Sequence, residues 1–119
     1  MAKSSVNLMF RAFSDRTRLR ILHLLLKGEM CVCDIVTVIQ VPQPKASRHL
    51  AYLRRAGLIE KRKQGLWAYY NLTAPASPFH RSLIKCLGEC FRDVPELARD
   101  SKRALRSCCD NASACKPIR

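Results

Sequence analysis

Leu19, Leu22, Leu25 and Leu26 recur at the spacing of one helical face, and Ser14 before them suits an N-cap. The pattern predicts a helix running to Lys27, with Gly28 at its C′ position. A second stripe, Val32, Ile35, Val36 and Ile39, falls at i, i+3, i+4 and i+7 and predicts a short helix from near Cys31 that ends before Pro42. Pro42-Gln43-Pro44 opens a third, because proline is tolerated in a first turn. Ala46, Leu50 and Leu53 form its inner face and Gly57 stops it. Leu58 to Lys63 and Trp67 to Leu72 then read as two strands, with Gln64-Gly65 as the turn between them. Ser77-Pro78 starts another helix, on which Phe79, Leu83, Cys86, Leu87 and Cys90 share one face. Pro95 breaks it, and a short helix from about Glu96 to Leu105 follows. The last segment, SCCDNASACKPIR, has little to pack and reads as a mobile tail.

Two short helices joined by a tight turn, then a hairpin, describe a winged helix-turn-helix. The fold class is mainly α with one β-hairpin, in one domain over residues 1–106 with a tail over 107–119. Subtracting the inner face from the third helix leaves Gln43, Lys45, Ser47, Arg48, His49, Tyr52, Arg54 and Arg55 outward. These types work in a major groove: Arg forks onto guanine, Gln pairs with adenine, and Lys, Ser and His hold phosphates. The hairpin adds Lys61, Arg62, Lys63 and Gln64, suited to the adjacent backbone or minor groove. The bland alternative is a solvated helix and hairpin on some other small basic domain.

Charge favours the first reading. Lys and Arg number 22 against 9 acids, a formal net charge of +13. That excess points to a polyanion, with double-stranded DNA ahead of an anionic membrane surface. No apolar run approaches the roughly 18 residues of a membrane span. MAKSSVNLMFRAF has no long apolar run and no cleavage site, so no signal peptide is read and the expected compartment is the cytoplasm. One helix-turn-helix seldom supplies enough contacts, so a homodimer on paired half-sites is expected. Val6 to Phe13 and the Phe79–Cys90 helix are the apolar surfaces left to make its two-fold interface.

Seven cysteines occur, at 31, 33, 86, 90, 108, 109 and 115. In a reducing compartment a disulfide framework is not expected, which leaves core thiols, metal ligands or redox sensors. Cys86 and Cys90 lie on an apolar face and read as core or interface thiols. His80 stands almost alone, which gives little support to a zinc site, and His23 reads as structural.

The segments SDRTRLRILHLLL, EMCVCDIV and QPKASRHLAYLRRAGLIEKRKQGLWAYYNL together resemble the ArsR/SmtB family of bacterial metal-sensing repressors, closest to its arsenical-resistance branch. The resemblance covers Phe10 to Leu72 in the family's order and spacing. It implies a dimeric winged-helix repressor that leaves its operator when a thiophilic ion binds. The chain departs from the family at three points. Arsenite sensors continue the motif to a third cysteine, and here that position is Val36. Pro42 replaces the usual Ser or Asp cap, a difference of about 1 kcal/mol. No cysteine precedes Cys31, unlike the cadmium and lead sensors.

Arsenite and antimonite are soft and three-coordinate, so As(III) or Sb(III) as inducer favours three thiolates. Cys31 and Cys33 supply two. On a regular helix they diverge by about 200°, so one ion joins both only if the first turn unwinds or Cys31 lies outside the helix. Cys108, Cys109 and Cys115 form a second constellation, resembling arsenite repressors with a C-terminal Cys-Cys-x5-Cys; incidental tail thiols are its bland alternative. A hybrid of Cys31, Cys33 and one tail cysteine is the third possibility. The competing functions are a thiol-redox repressor, a sensor of another thiophilic metal and a non-sensing nucleic-acid module. RNA binding is disfavoured by few exposed aromatics beyond Tyr52, Trp67, Tyr69 and Tyr70. An enzyme has least support: there is no nucleophile–base pair, no phosphate-cradling loop and no paired carboxylates.

Overall fold

The computed structural model describes residues 3–89 and 94–106. Along them run α1 (Lys3–Phe13), α2 (Arg16–Leu25), β1 (Met30–Cys31), α3 (Val32–Ile39), α4 (Gln43–Arg55), β2 (Ile59–Gln64), β3 (Trp67–Leu72), α5 (Pro78–Glu89) and α6 (Pro95–Arg106). The tail with Cys108, Cys109 and Cys115, and also Cys90, lies outside the described residues.

The cap of α2 is Asp15 and not Ser14. The Asp15 carboxylate accepts from Arg18 N at 3.0 Å, while Ser14 Oγ donates to the Arg11 carbonyl at 2.6 Å and closes α1. A carboxylate caps a helix start and also meets its positive dipole end. α2 stops at Leu25, two residues before Lys27, because Leu26 N turns to His23 O and Gly28 N to Leu25 O. Ile21, Leu22, Leu24 and Leu25 are its buried residues, so the inner face is rotated from the predicted one and Leu19 sits at its edge.

α3 is the predicted short helix. It ends in a left-handed Gln40 (φ 56°), whose N–H reaches Val36 O at 2.9 Å. Val38 takes the buried place expected of Val36, which lies partly covered at the core's edge. α4 starts after Pro42 with no side-chain cap, and Ala46, Leu50 and Leu53 are fully buried as the pattern required. Gly57 (φ 80°) then ends it. Gly57 N bonds Arg54 O and Leu58 N bonds Leu53 O, a Schellman closure that needs a residue without a Cβ at the left-handed position.

β3 has the predicted bounds. β2 is shifted by one residue, because Gln64 pairs with Trp67 and the two-residue loop is Gly65-Leu66, not Gln64-Gly65. Positive φ at Gly65 (63°) and not at Leu66 is the type II′ pattern, which matches strand twist. Ile59, Ala68 and Tyr70 face the core, Leu72 packs at its edge, and residues 62–66 are exposed at the tip of the wing. A third strand is present that the pattern did not predict. β1 pairs antiparallel with β3 through Met30↔Tyr70 and Cys31↔Tyr69, giving the order β1-β3-β2.

Ser77 caps α5 by accepting from His80 N at 3.1 Å. Only His80 and Leu87 of α5 are buried, and Phe79 packs edge-on against Phe10 of α1 at 5.1 Å. Phe10 remains 56% exposed, so α1 and α5 share an apolar face open on this chain. α6 lies across α2 and α3, held by buried Leu97 and by fully buried Asp100.

Burial holds all three histidines, His23, His49 and His80, below the ordinary imidazole range. Buried Nδ1 of His23 and Nε2 of His80 have no hydrogen-bond partner among the described residues. The unfolded chain takes up these protons near pH 6.5, about the free value, and the folded chain only at lower pH. Stability from them is therefore full above about pH 6.5 and declines as pH falls below it. Melting temperature should drop between about pH 7.5 and pH 5.5, and His80→Leu should shrink the drop. A flat profile across that window contradicts the assignment.

Candidate DNA interface and thiol site

Gln43, Lys45, Ser47 and Arg48 are exposed along the first turns of α4, and Arg54 and Arg55 along its last. His49 and Tyr52 are set deeper. His49 is 17% exposed and its Nδ1 lies 3.4 Å from Arg18 Nη1 and 3.8 Å from Asp15 Oδ2. Arginine only donates, so the shorter contact fits a neutral imidazole with a bare Nδ1. Burial is the largest influence on His49 and outweighs the Asp15 charge, which agrees with that protonation state.

Tyr52 is half-buried, with the Arg18 guanidinium 4.2 Å from its ring centroid and that of Arg55 at 5.2 Å. Arg18 also donates to Ala12 O and Arg11 O, so one side chain ties α1, α2 and α4 together. Sequence reading missed Arg18. An arginine on a basic helix carries no signal that it faces inward.

On the wing, Lys63 and Gln64 are exposed. Arg62 turns back: it donates to both Glu29 carboxylate oxygens (2.7 and 3.1 Å) and to Gln64 Oε1 (2.7 Å), and lies over Tyr69 at 4.7 Å. That hydrogen bonding holds Glu29 below the usual carboxylate range. Lys61 is half-buried, and burial, then Lys63 and Arg54, lowers its pKa. Glu29 was also missed, because it lies 33 residues from Arg62.

Cys31 is the N-cap of α3. Its backbone is extended (φ −77°, ψ 156°), its side chain is 1% exposed, and Sγ accepts from Asp34 N at 3.4 Å. It thus lies outside the helix, the arrangement that removes the angular obstacle to joining it to Cys33. The two sulfurs are paired as a disulfide, with Cα atoms 5.5 Å apart. The sulfurs meet because an extended Cys31 turns its Sγ over the first helical turn; one such neighbouring pair is not the disulfide framework that a reducing compartment disfavours. Reduced, the same sulfurs offer two thiolates, and with the Asp34 carboxylate their ligand atoms lie within 4.8 Å of one another. Cys86 is partly buried on α5.

An exposed basic helix, a tight turn before it and a basic wing define a winged helix-turn-helix regulator of the DNA-binding kind. Residues 15–61 match the family described as bacterial regulatory protein, arsR family. The chain is 52% identical over 97 residues to the arsenical resistance operon repressor of Escherichia coli (strain K12), covering 80% of this chain and 83% of that protein. It therefore belongs to the ArsR family. It is also 43% identical over 65 residues to a homologue of a cadmium resistance transcriptional regulatory protein from Staphylococcus aureus, 54% of either chain. Among solved structures, a homodimeric winged helix-turn-helix DNA-binding domain from Mycobacterium bovis superposes with a TM-score of 0.61 at 28% identity, over 71% of this chain and 73% of that one. The family's members are DNA-binding transcriptional regulators, not enzymes. No helix among the described residues is long and apolar enough to cross a membrane.

Proposed function

We propose that the chain is a homodimeric repressor that leaves its operator when As(III) or Sb(III) binds cysteine thiolates. The carrying observation is the position of Cys31, which caps α3 and at the same time pairs with Tyr69 of the wing strand. An ion drawn between Cys31 and Cys33 takes Sγ of Cys31 from the Asp34 N–H. The first turn of α3 then loosens, and β1 shifts against β3. One event would move both the turn leading to Gln43 and the wing that carries Lys63 and Gln64. A helix start stabilises thiolates, which favours capture of a soft ion. Because Val36 stands where a third sulfur would complete a trigonal site, Cys108, Cys109 or Cys115 is assigned that place.

In this reading Gln43, Lys45, Ser47 and Arg48 meet the major groove, with Lys63 and Gln64 on the flanking backbone. Arg55, Tyr52, His49 and Arg62 hold that surface in shape, and the two arginines add charge. The face of Phe10 and Phe79 closes against a second copy, and the expected compartment is the cytoplasm.

The test is fluorescence anisotropy with a labelled operator duplex under full reduction. Two chains should bind each duplex, and low-micromolar arsenite should weaken binding about 5- to 150-fold. Arg48→Ala should weaken specific binding by about 1–3 kcal/mol and relax preference at one base position. The disulfide favours a second reading, a thiol-redox repressor. If peroxide releases the operator and arsenite under reduction does not, the second reading replaces the first.

A further inference from the structure

A pocket of about 470 Å³ opens where α6 crosses α2 and the end of α3, lined by Arg20, Gln40, Glu96, Arg99, Lys102 and Arg103. Helical spacing puts Arg99, Lys102 and Arg103 on one face of α6, at i, i+3 and i+4. Such neighbours repel, and the fold holds them together by burying Asp100 behind them. That carboxylate accepts from Arg20 (2.8 and 3.0 Å) and from Arg103 (3.2 Å). Glu96 is turned toward Arg16 at 3.6 Å. With Arg16 included, five cations thus meet two carboxylates, leaving three positive charges in excess. Arg99 and Lys102 are exposed and form no ion pair among the described residues.

We infer that this pocket binds a phosphate group, and that its favoured source is the operator backbone beyond the bases met by α4. Arg20 is fixed from behind by Asp100 and by its bond to Ile39 O (2.9 Å), so the pocket is built before any ligand arrives. Arginine forks and an amide suit phosphate oxygens, and a volume of this size admits a backbone phosphate together with the sugars that flank it. The position argues for DNA. Gln40 precedes Gln43, the first residue of α4, by three residues, a chain reach of about 10 Å. Gln40, on the pocket's lining, is thus nearer to the start of the reading helix than the roughly 12 Å width of a major groove. The proposal rests on α4 entering DNA.

The experiment compares full-length wild type with Arg99→Gln/Lys102→Gln. Both side chains are exposed, so the variant keeps its fold, which circular dichroism checks. The slope of log affinity for the operator against log salt should become shallower by about one to two units per subunit, with base preference unchanged. Isothermal titration with inorganic phosphate and pyrophosphate on the free proteins is the second arm. An unchanged slope, with phosphate bound by wild type and not by the variant, identifies a free anion as the source. An unchanged slope with no phosphate binding to wild type overturns the site. Arg48→Gln is the control for α4. If it leaves affinity and base preference intact while the double variant changes the slope, the α4 reading fails and the pocket stands.

Discussion

Asp100→Ala is expected to destabilise the fold by about 3–5 kcal/mol, the scale for removing one partner of a buried ion pair. Asp100 is fully buried and Arg20 is 12% exposed at its side chain. Without the carboxylate, the Arg20 guanidinium stays largely covered, with the Ile39 carbonyl as its remaining hydrogen-bond acceptor among the described residues. The Asp100 hydrogen bonds hold Arg20 above its ordinary pKa in the wild type; without them a guanidinium is still basic enough to keep its proton, so the variant does not relieve the site by shedding charge. Urea unfolding measures the loss. The Arg16–Glu96 pair is the internal contrast: at 3.6 Å and 66% and 32% exposed, its loss through Glu96→Gln should lie within about 1 kcal/mol of wild type. Arg20→Met/Asp100→Leu should recover most of the loss, because an apolar pair of similar volume replaces a desolvated one. If Asp100→Ala behaves like Glu96→Gln, α6 is not anchored as described. The consequence reaches the DNA-binding module, because the Ile39 carbonyl that Arg20 grips is the last of α3 before the turn into α4.

Asp100 and Arg20 lie 80 residues apart, and neither has a local signature that points to the other. That separation explains the division between what the chain reveals and what it hides. Periodicity exposed α3, α4 and β3, because each buries a stripe whose spacing survives in one dimension. Proline and glycine placed the breaks, as at Gly57 and Ser77-Pro78. Side-chain chemistry one residue out of place was harder: Ser14 and Asp15 are both good caps, and only the Arg18 N–H decides between them. β1 was invisible because two residues have no period, and its existence depends on Tyr69 and Tyr70 arriving from the wing. In the candidate interface, residue type identified the basic face of α4. It did not separate Arg48, which is free to reach outward, from His49 and Tyr52, which rest on Arg18, or from Arg62, which is held by Glu29. Those distinctions are tertiary.

Cys31→Ser/Cys33→Ser is expected to abolish arsenite-driven operator release while leaving operator affinity near wild type. The two effects separate because of where Cys31 sits. Its structural task is to accept the Asp34 N–H as an N-cap, and serine performs that task at least as well as a thiol. Its proposed sensing task needs a thiolate, which a hydroxyl does not replace for a soft ion. The response lost should therefore be the full 5- to 150-fold or so, with little change in melting temperature. Cys108→Ser/Cys109→Ser should weaken the response without removing it, since Cys115 remains to complete a trigonal site. If both double variants keep the wild-type response, both thiol assignments are wrong. Val36→Cys makes the converse test. Residues 33 and 36 lie on neighbouring turns of α3, so a third sulfur there completes the site within one helix. The variant should respond to lower arsenite than wild type, and it should do so even with Cys108, Cys109 and Cys115 replaced by serine. A Val36→Cys protein that still depends on the tail would place the ion away from α3.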